Sequence, residues 1–421
     1  MLSPEYFNIE SKKPTKPYFK KPQALVKQKN RIAIIGAGMA GCAAAHKLAE
    51  TGFQIHLYDK NNGIAEGASG NVAGMLKPYL TADANASDLF HTRGYFETIQ
   101  FLHDHINNKI LFKETGALQI LSCEKVQDRY QRIFTKRELP EALAKKVTAK
   151  EGSELSGIDI QHDGIFYPKA CLVSPKEFCR VLLESIEGNV TLHLNHEVNK
   201  LSQTENNLWR INDGECAYDA VVVCGGAEAI KGLSQTKEIP VYAAEGQVSH
   251  IHLDENIKCI LSDKGYLMPE FNGQQTLGAT YRESNDSSGE LRDQDHQDNL
   301  THLNEILGHK NCELLGGRVA ARCVTSDHMP IVGAVPDYVQ FLECYQSDFK
   351  KGTVLSRLKD CPYPQGLYIS SGFGSKGLCS ALLSAQIITS LVEGNMLPVS
   401  DKVYQALHPA RFWAKGLKTK N

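Results

Sequence analysis

Short apolar runs that stop at glycine, separated by stretches with helical spacing, set the rhythm of this chain. The first run, Arg31-Ile32-Ala33-Ile34-Ile35, reads as a buried strand entering Gly36. Ala43 to Glu50 reads as an alanine-rich helix stopped by Gly52, and Phe53 to Tyr58 as the next strand. Leu89, Phe96, Ile99, Leu102 and Ile106 share one face of a helix over Asp88 to Ile106. Ala117 to Leu121 reads as a strand, followed by a charged helical stretch. Ser174-Pro175-Lys176-Glu177 is a capping box with proline at the first helical position, and Phe178, Val181, Leu182 and Ile186 continue that helix to Gly188. Val190 to Leu194 and Asp219 to Ala227 are further strands, the latter ending in Gly225-Gly226. From 240 to 282 the pattern turns β-rich, with strands over Val241 to Ile251, Cys259 to Pro269 and Gln275 to Tyr281. A polar helix over Leu291 to Leu307 follows; near the end, a strand over Gly366 to Ser371 enters a glycine turn, and an apolar helix covers Leu378 to Leu391.

The glycines give the first strand its chemistry. Gly36-Ala37-Gly38-Met39-Ala40-Gly41 is Gly-x-Gly-x-x-Gly between a strand and a helix, and the next strand delivers Asp59. Gly36 permits the tight turn, Gly38 the approach of backbone N–H groups to a pyrophosphate, and Gly41 close packing of helix on strand. The helix N-terminus supplies orphan donors and partial positive charge, and Asp59 suits the adenosine ribose hydroxyls. Gly67-Ala68-Ser69-Gly70-Asn71 reads either as a second close backbone approach to the ligand or as a surface loop. The late turn Gly372-Phe373-Gly374-Ser375-Lys376-Gly377 sits before another helix, some 330 residues after the first. A cofactor whose reactive ring lies far from its adenine accounts for such a return, which favours FAD over NAD. The expected contacts are Gly36, Gly38, Met39, Ala40, Gly41, Asp59, Lys60, Ala68, Ser69, Gly70, Asn71, Val198, Gly225, Gly226, Gly372, Phe373, Gly374, Ser375 and Gly377.

The pattern predicts an α/β fold with an α+β part: a Rossmann-like FAD-binding domain, discontinuous in sequence (31–110, 171–235 and 317–395), and an antiparallel-sheet substrate domain (111–170 and 236–316). Composition narrows the class little, at 42% hydrophobic and 22% charged over 421 residues. A net charge of −2 excludes a whole-molecule basic field, so a nucleic-acid partner would need a local patch. The 12 cysteines show no C-x-x-C pair and no Cys/His cluster at zinc spacing, so no metal site is expected. With no secretory signal or membrane-length apolar run, they read as reduced thiols in the cytoplasm. Residues 1–30, rich in lysine and proline, read as a disordered leader or linker: a solvated tail, a basic arm touching nucleic acid, or the remnant of a link to another domain. Residues 396–421 read as a basic tail, with Arg411, Lys415, Lys418 and Lys420.

Several stretches carry a resemblance: Gly67 to Asn71; Pro240-Val241-Tyr242 with Gly246 to Ile251; Arg322 to Gly333 with Pro336-Asp337-Tyr338; Gly374 to Ser380; and Leu407 to Trp413. Together they make the chain, from about residue 31 onward, similar to the D-amino-acid, glycine and sarcosine oxidase group of flavoproteins. Within that group it most resembles the FAD-dependent oxidoreductase part of bifunctional tRNA 5-methylaminomethyl-2-thiouridine biosynthesis proteins. The resemblance implies non-covalent FAD, tRNA as partner, and removal of a carboxymethyl group from 5-carboxymethylaminomethyl-2-thiouridine at the wobble position. It also implies Arg322 as carboxylate-binding arginine; a structural salt bridge is the other reading. Tyr266 is the candidate hydroxyl beside that carboxylate, otherwise a half-buried strand tyrosine, and Lys376 with its helix N-terminus the candidate positive group near the flavin. His328 is expected to order its loop, a catalytic base being the less favoured reading, and the spacing of Cys323 and Cys379 does not fit a covalent flavin. The bifunctional proteins carry a methyltransferase before the oxidoreductase; residues 1–30 leave no room for one, so methylation is expected to be absent or done by a separate methyltransferase. Two other functions stay open at this point: an oxidase of free glycine-like or sarcosine-like amino acids, and a non-catalytic flavoprotein scaffold in a tRNA-modification complex.

Overall fold

A computed structural model describes residues 15–283, 289–308 and 312–419. Residues 1–14 of the expected leader, with Lys12 and Lys13, and Lys420 of the expected tail lie outside them. The chain forms two compact units, Met1–Glu66 with Cys179–Ala243 and Arg322–Asn421, and Gly67–Phe178 with Ala244–Ala321.

The first unit is built on a six-stranded sheet in the order Ile331–Ala334, Leu367–Ser371, Ala220–Val223, Arg31–Ile35, Gln54–Tyr58, Val190–His193. Every pairing is parallel except that between Ile331–Ala334 and Leu367–Ser371. Ile32 to Ile35 and Ala220–Val223, at the centre, are apolar and buried because helices cover the sheet. Helix Met39–Glu50 packs along helix Gly377–Glu393, and small side chains make the fit: Ala43, Ala44, Ala45, Ala381, Ser384 and Ala385 are all fully buried. A short antiparallel sheet (Leu201–Gln203, Trp209–Ile211, Ala217–Tyr218) adds Trp209 and Tyr218 to this unit's core.

The second unit carries a largely antiparallel nine-stranded sheet. Its order is Arg282–Glu283, Val241–His252, Gln274–Gly278, Tyr266–Phe271, Ile260–Ser262, Ala117–Ile120, Gly164–Tyr167, Lys145–Val147, with Glu313–Thr325 on Val241–His252. Leu118, Leu261, Leu267, Leu277 and Leu303 form its core, the last from helix Asp293–Leu307. The α/β with α+β expectation holds. Among the described residues no helix is long and apolar enough to cross a membrane, and no cluster of side chains is suited to a metal ion.

Four expectations need correction. The stretch Cys259 to Pro269 is two strands, because Asp263 to Gly265 turns the chain, the Asp263 N–H donating to the Gly265 carbonyl. Residues 67–110 group with the second unit rather than the first. Gly74–Leu76 pairs with Cys171–Val173, and Asp88, fully buried on helix Ala86–Asp104, is ion-paired to Arg137. The disordered leader is contradicted over 15–30, which form a strap against the first unit. Tyr18, Phe19 and Leu25 are buried, the Leu25 N–H donates to the Val392 carbonyl, and the N–H groups of Gln28, Lys29 and Arg31 converge on the Asp219 carboxylate. The tail is likewise folded into helices Asp401–Leu407 and Arg411–Thr419, with Leu407, Trp413 and the intervening Ala410 buried.

Candidate functional site

Three glycine turns meet at the carboxyl ends of the parallel strands. Gly36, at φ 104°, faces Gly225 so closely that a Cβ on it would lie 2.9 Å from the Gly225 Cα. A Cβ on Gly41 would lie 1.8 Å from the Gly36 carbonyl oxygen, so only glycine lets helix Met39–Glu50 descend onto the turn. The Ser371 hydroxyl donates to the Gly225 carbonyl at 2.7 Å, tying the end of Leu367–Ser371 to the second turn. A Cβ on Gly377 would strike the Met39 side chain at 2.4 Å, which locks the start of the last long helix to the first turn.

The electrostatics of this place favour an anion. Helix Met39–Glu50 begins at Gly38 with no side-chain cap from that residue and no acidic residue in its first turn, so its positive end faces the turn without a carboxylate of its own. Helix Gly377–Glu393 begins the same way, at Lys376. Asp59 closes the other side of the turn: its Oδ2 accepts from the Ala37 N–H at 2.7 Å, and its Oδ1 from the Asn61 N–H and Nδ2 at 2.9 Å each. Val198 is buried in the core just beyond His196, whose N–H donates to the Asp59 carbonyl. Lys60 is exposed and ion-paired with Glu228 on the short helix after Gly226. A pyrophosphate-bearing dinucleotide fits this cradle: two uncapped helix starts, backbone surfaces bare of Cβ atoms, and a carboxylate at the adenosine end.

In the second unit, Ala68–Gly70 is a short 3-10 turn with Ser69 buried. It is clamped by Arg318, whose Nη1 donates to Asn71 Oδ1 at 2.9 Å and Nη2 to the Gly67 carbonyl at 2.6 Å. This residue was missed by the sequence reading: its partners are 247 and 251 positions away, and no local pattern flags it. Near it, His250 is buried with its Nδ1 unpartnered among the described residues, and burial, then Arg318 and His296, lower its pKa. Tyr266 opens strand Tyr266–Phe271, half-buried, its hydroxyl 3.2 Å from where a Gly278 Cβ would stand.

Arg322 lies near the end of strand Glu313–Thr325 in the first unit, half-buried. Its side chain makes no hydrogen bond or ion pair with any described residue. Its neighbour Cys323 offers its carbonyl to the Gly374 N–H at 3.0 Å, and Val324 and Thr325 stand against Gly374 and Gly372. The structure thus brings Arg322, Gly372, Phe373, Gly374, Ser375 and Lys376 onto one frame with the first two glycine turns. Burial pushes the Cys323 thiol up, against bonds from Ser371 and Gly372. His328 is exposed at φ 56° in the following loop, held by Asp327. The Asp327 carboxylate also receives Arg411 Nε at 2.8 Å and Nη2 at 2.9 Å, so Arg411 is a buried structural group, against the expectation of a basic residue on a free tail.

The comparisons with known proteins agree with this geometry. Residues 31–391 match the family model DAO, FAD dependent oxidoreductase. The chain is 31% identical over 417 residues to the tRNA 5-methylaminomethyl-2-thiouridine biosynthesis bifunctional protein MnmC of Pseudomonas fluorescens, covering 94% of this chain and 61% of that protein. It is 31% identical over 403 residues to the protein of the same description from Aliivibrio fischeri, covering 92% of this chain. The chain therefore spans about three-fifths of the length of these relatives, 61% and 59%. Among solved structures, glycine oxidase from Geobacillus kaustophilus superposes with a TM-score of 0.73 at 18% identity, over 90% of this chain and 99% of that one. L-proline dehydrogenase from P. horikoshii does so with a TM-score of 0.73 at 17% identity, over 93% and 99%. At these identities the solved structures speak for the fold alone. The family match covers both the early and the late glycine turns: the chain belongs to the FAD-dependent oxidoreductase (DAO) family, and its cofactor is FAD.

Proposed function

We propose that this chain, in the cytoplasm, oxidises 5-carboxymethylaminomethyl-2-thiouridine at the tRNA wobble position to the 5-aminomethyl form, releasing the carboxymethyl group as glyoxylate. Similarity to the bifunctional tRNA proteins supports the choice of substrate, and one observation carries the chemistry. Arg322 is a half-buried guanidinium without a counter-ion among the described residues, on the strand bonded to the late glycine turn. A structural arginine at such a place has a carboxylate partner; one that binds substrate keeps its donors for the ligand.

The substrate side chain is a secondary amine bearing CH2–COO−, in effect an N-substituted glycine. Arg322 holds the carboxylate through two parallel hydrogen bonds and so fixes the CH2 carbon. Tyr266 is proposed as a hydroxyl donor to the same carboxylate. Lys376 and the uncapped start of helix Gly377–Glu393 set a positive potential at the late turn. FAD, when bound, would supply the acceptor for the hydride leaving the CH2 carbon, and the nitrogen would release its proton. Water adds to the resulting N=CH–COO− carbon, the C–N bond breaks, and the aminomethyl base and glyoxylate separate. The remaining fit is to tRNA itself, through local basic segments of the strap and C-terminal helices.

The test is an anaerobic single turnover of the holoprotein with tRNA carrying the carboxymethylaminomethyl base, and separately with free glycine and sarcosine. Flavin bleaching by the tRNA, with one glyoxylate per flavin, is the expected result. Bleaching by the free amino acids and not by the tRNA refutes the substrate, and bleaching by neither refutes turnover altogether.

A further inference from the structure

The strap and the C-terminal helices enclose a cleft of about 370 Å³ in the first unit. That is within the range of about 300–1,000 Å³ that holds small ligands. Its walls include Lys16, Tyr18, Phe19, Phe412, Lys415 and Lys418. Charged side chains in the lining are three lysines and Arg411 against Asp327, a net +3 on a chain whose total is −2. Arg411 and Asp327 engage each other through two hydrogen bonds, so the excess formal charge of the lining is that of its lysines.

Two of these cations are braced by rings. The Lys418 ammonium donates to the Tyr18 hydroxyl at 3.1 Å and stands 5.5 and 5.6 Å from the centroids of Tyr18 and Phe349. The Lys16 ammonium lies 6.0 Å from the Phe19 centroid. Tyr18 and Phe19 are buried and serve as braces, whereas Phe412 is half-buried, with the Arg411 guanidinium 4.3 Å from its ring centre. Held ammonium groups around a partly open aromatic ring make the arrangement that grips a phosphate backbone and stacks one base.

We propose that this cleft docks the tRNA substrate outside the catalytic site, with Lys16, Lys415 and Lys418 on consecutive phosphates and Phe412 against one unstacked base. The proposal rests on the tRNA reading above. Positive charge in the cleft against a phosphate chain supplies the attraction, and the negative whole-chain charge confines it to this face. Lysines, as point charges on flexible stems, suit phosphates and carry no base specificity, so recognition of the wobble base is left to the catalytic site.

The experiment measures affinity of FAD-loaded protein for fluorescently labelled full-length tRNA against salt concentration, for wild type, K16Q/K415Q and K16Q/K415Q/K418Q. Each lost phosphate contact flattens the slope of log K against log salt by about 0.7–0.9, so about 1.4–1.8 is expected for the double variant and 2.1–2.7 for the triple. The double variant guards against disturbance of the Tyr18 packing by loss of Lys418. Phe412→Leu is expected to weaken binding about five- to 150-fold without changing the slope. Flavin reduction by the free carboxymethylaminomethyl nucleoside should be the same in all four proteins. Wild-type slopes in both lysine variants overturn the docking cleft while leaving the proposed reaction intact. Flattened slopes in a protein whose flavin the modified tRNA fails to bleach uphold the cleft and refute the reaction.

Discussion

Arg322→Ala separates a substrate-binding arginine from a structural one, because the two roles differ in what is left behind. Removing one partner of a buried ion pair strands the other and costs about 3–5 kcal/mol. Arg322 has no such partner, so its truncation strands nothing among the described residues. The loss is limited to packing of a half-buried aliphatic stem, about 1 kcal/mol or less. Binding is another matter. Two charge-assisted hydrogen bonds at about 1.5–3 kcal/mol each amount to about 3–6 kcal/mol, a fall of roughly 10²- to 10⁴-fold in kcat/KM at about 1.4 kcal/mol per decade. The assay pairs the natural carboxylate substrate with its carboxamide analogue in wild type and variant, alongside thermal unfolding and flavin content. Wild type is expected to prefer the carboxylate steeply and the variant to lose most of that preference, with flavin retained. A variant that keeps the preference, or that sheds FAD and unfolds early, refutes the assignment of Arg322 to the carboxylate.

Four further outcomes follow from the geometry. Gly41→Ala sets a Cβ 1.8 Å from the Gly36 carbonyl, where nothing short of moving helix Met39–Glu50 relieves the clash, so the purified protein is expected to lack FAD by absorbance near 450 nm while remaining folded by circular dichroism. Arg411→Ala is expected to cost about 1–3 kcal/mol in denaturant unfolding, below the range for a fully buried pair because Asp327 is 42% exposed. The same pair has a pH signature: burial raises the Asp327 carboxyl, but Arg411 and the Met329 N–H more than offset it, leaving the pKa below the ordinary aspartate value. Its stabilising contribution is therefore complete above that ordinary value, near pH 4, and is lost as pH falls through the lowered folded value. Wild type and Asp327→Asn should differ in stability at neutral pH and converge only in that acid range, and a gap closing already between pH 7 and 5 contradicts the linkage. In the strap, Leu25→Ala removes a side chain 9% exposed and should destabilise by about 2–3 kcal/mol; no change in the unfolding midpoint means that the strap is not docked in solution.

Local signals carried the strand-and-glycine frame well. Ile32 to Ile35 before Gly36 and Val221 to Val223 before Gly225 each combine an apolar run with a glycine turn, Leu367 to Ile369 does so with two serines before Gly372, and all three strands stand side by side in one sheet. Signals that depend on distant partners were not legible. The lysines and prolines of 15–30 dominate its composition, yet three apolar side chains and the bonds to Asp219 and Val392, across some 190 and 370 residues, tie it down. Arg411 looks like one more basic residue until Asp327, 84 positions earlier, is found facing it. Strand Glu313–Thr325 escaped the pattern reading because it is largely half-exposed and shows no clean two-residue alternation. Residues 67–71 read either as a backbone surface for a ligand or as a surface loop, and their membership of the second unit depends on Arg318 and on the pairing of Gly74–Leu76, neither of which is local.

The Asp327–Arg411 pair also explains why the C-terminal segment and the arginine motif occur together. After Arg322 the chain turns through 326–330 and returns as Ile331–Ala334, antiparallel to Leu367–Ser371, which leads directly into the late glycine turn. A loop of that length, with His328 at positive φ, is free to drift unless its polar groups are satisfied. Thr325 donates its hydroxyl to the Met329 carbonyl, Asp327 caps the Met329 N–H, and Arg411 reaches both the Asp327 carboxylate and the Met329 carbonyl. Arg411 is positioned in turn by His408, a fully buried imidazole whose Nδ1 accepts the Ala410 N–H and whose Nε2 meets the Tyr363 hydroxyl. Burial, with Arg411 nearby, lowers its pKa to about 3, so it stays neutral and keeps those bonds through the physiological range. Tyr363 passes the chain of bonds on to the Lys20 carbonyl in the strap. The strap, the last helices and the arginine loop are thus one hydrogen-bonded frame, whose effect is to hold the strand bearing Arg322 against the turn at Gly374. Catalysis that depends on a carboxylate held in register with a flavin needs that alignment before substrate arrives, which makes the terminal segments part of the site's preorganisation even though none of their side chains is assigned to the chemistry.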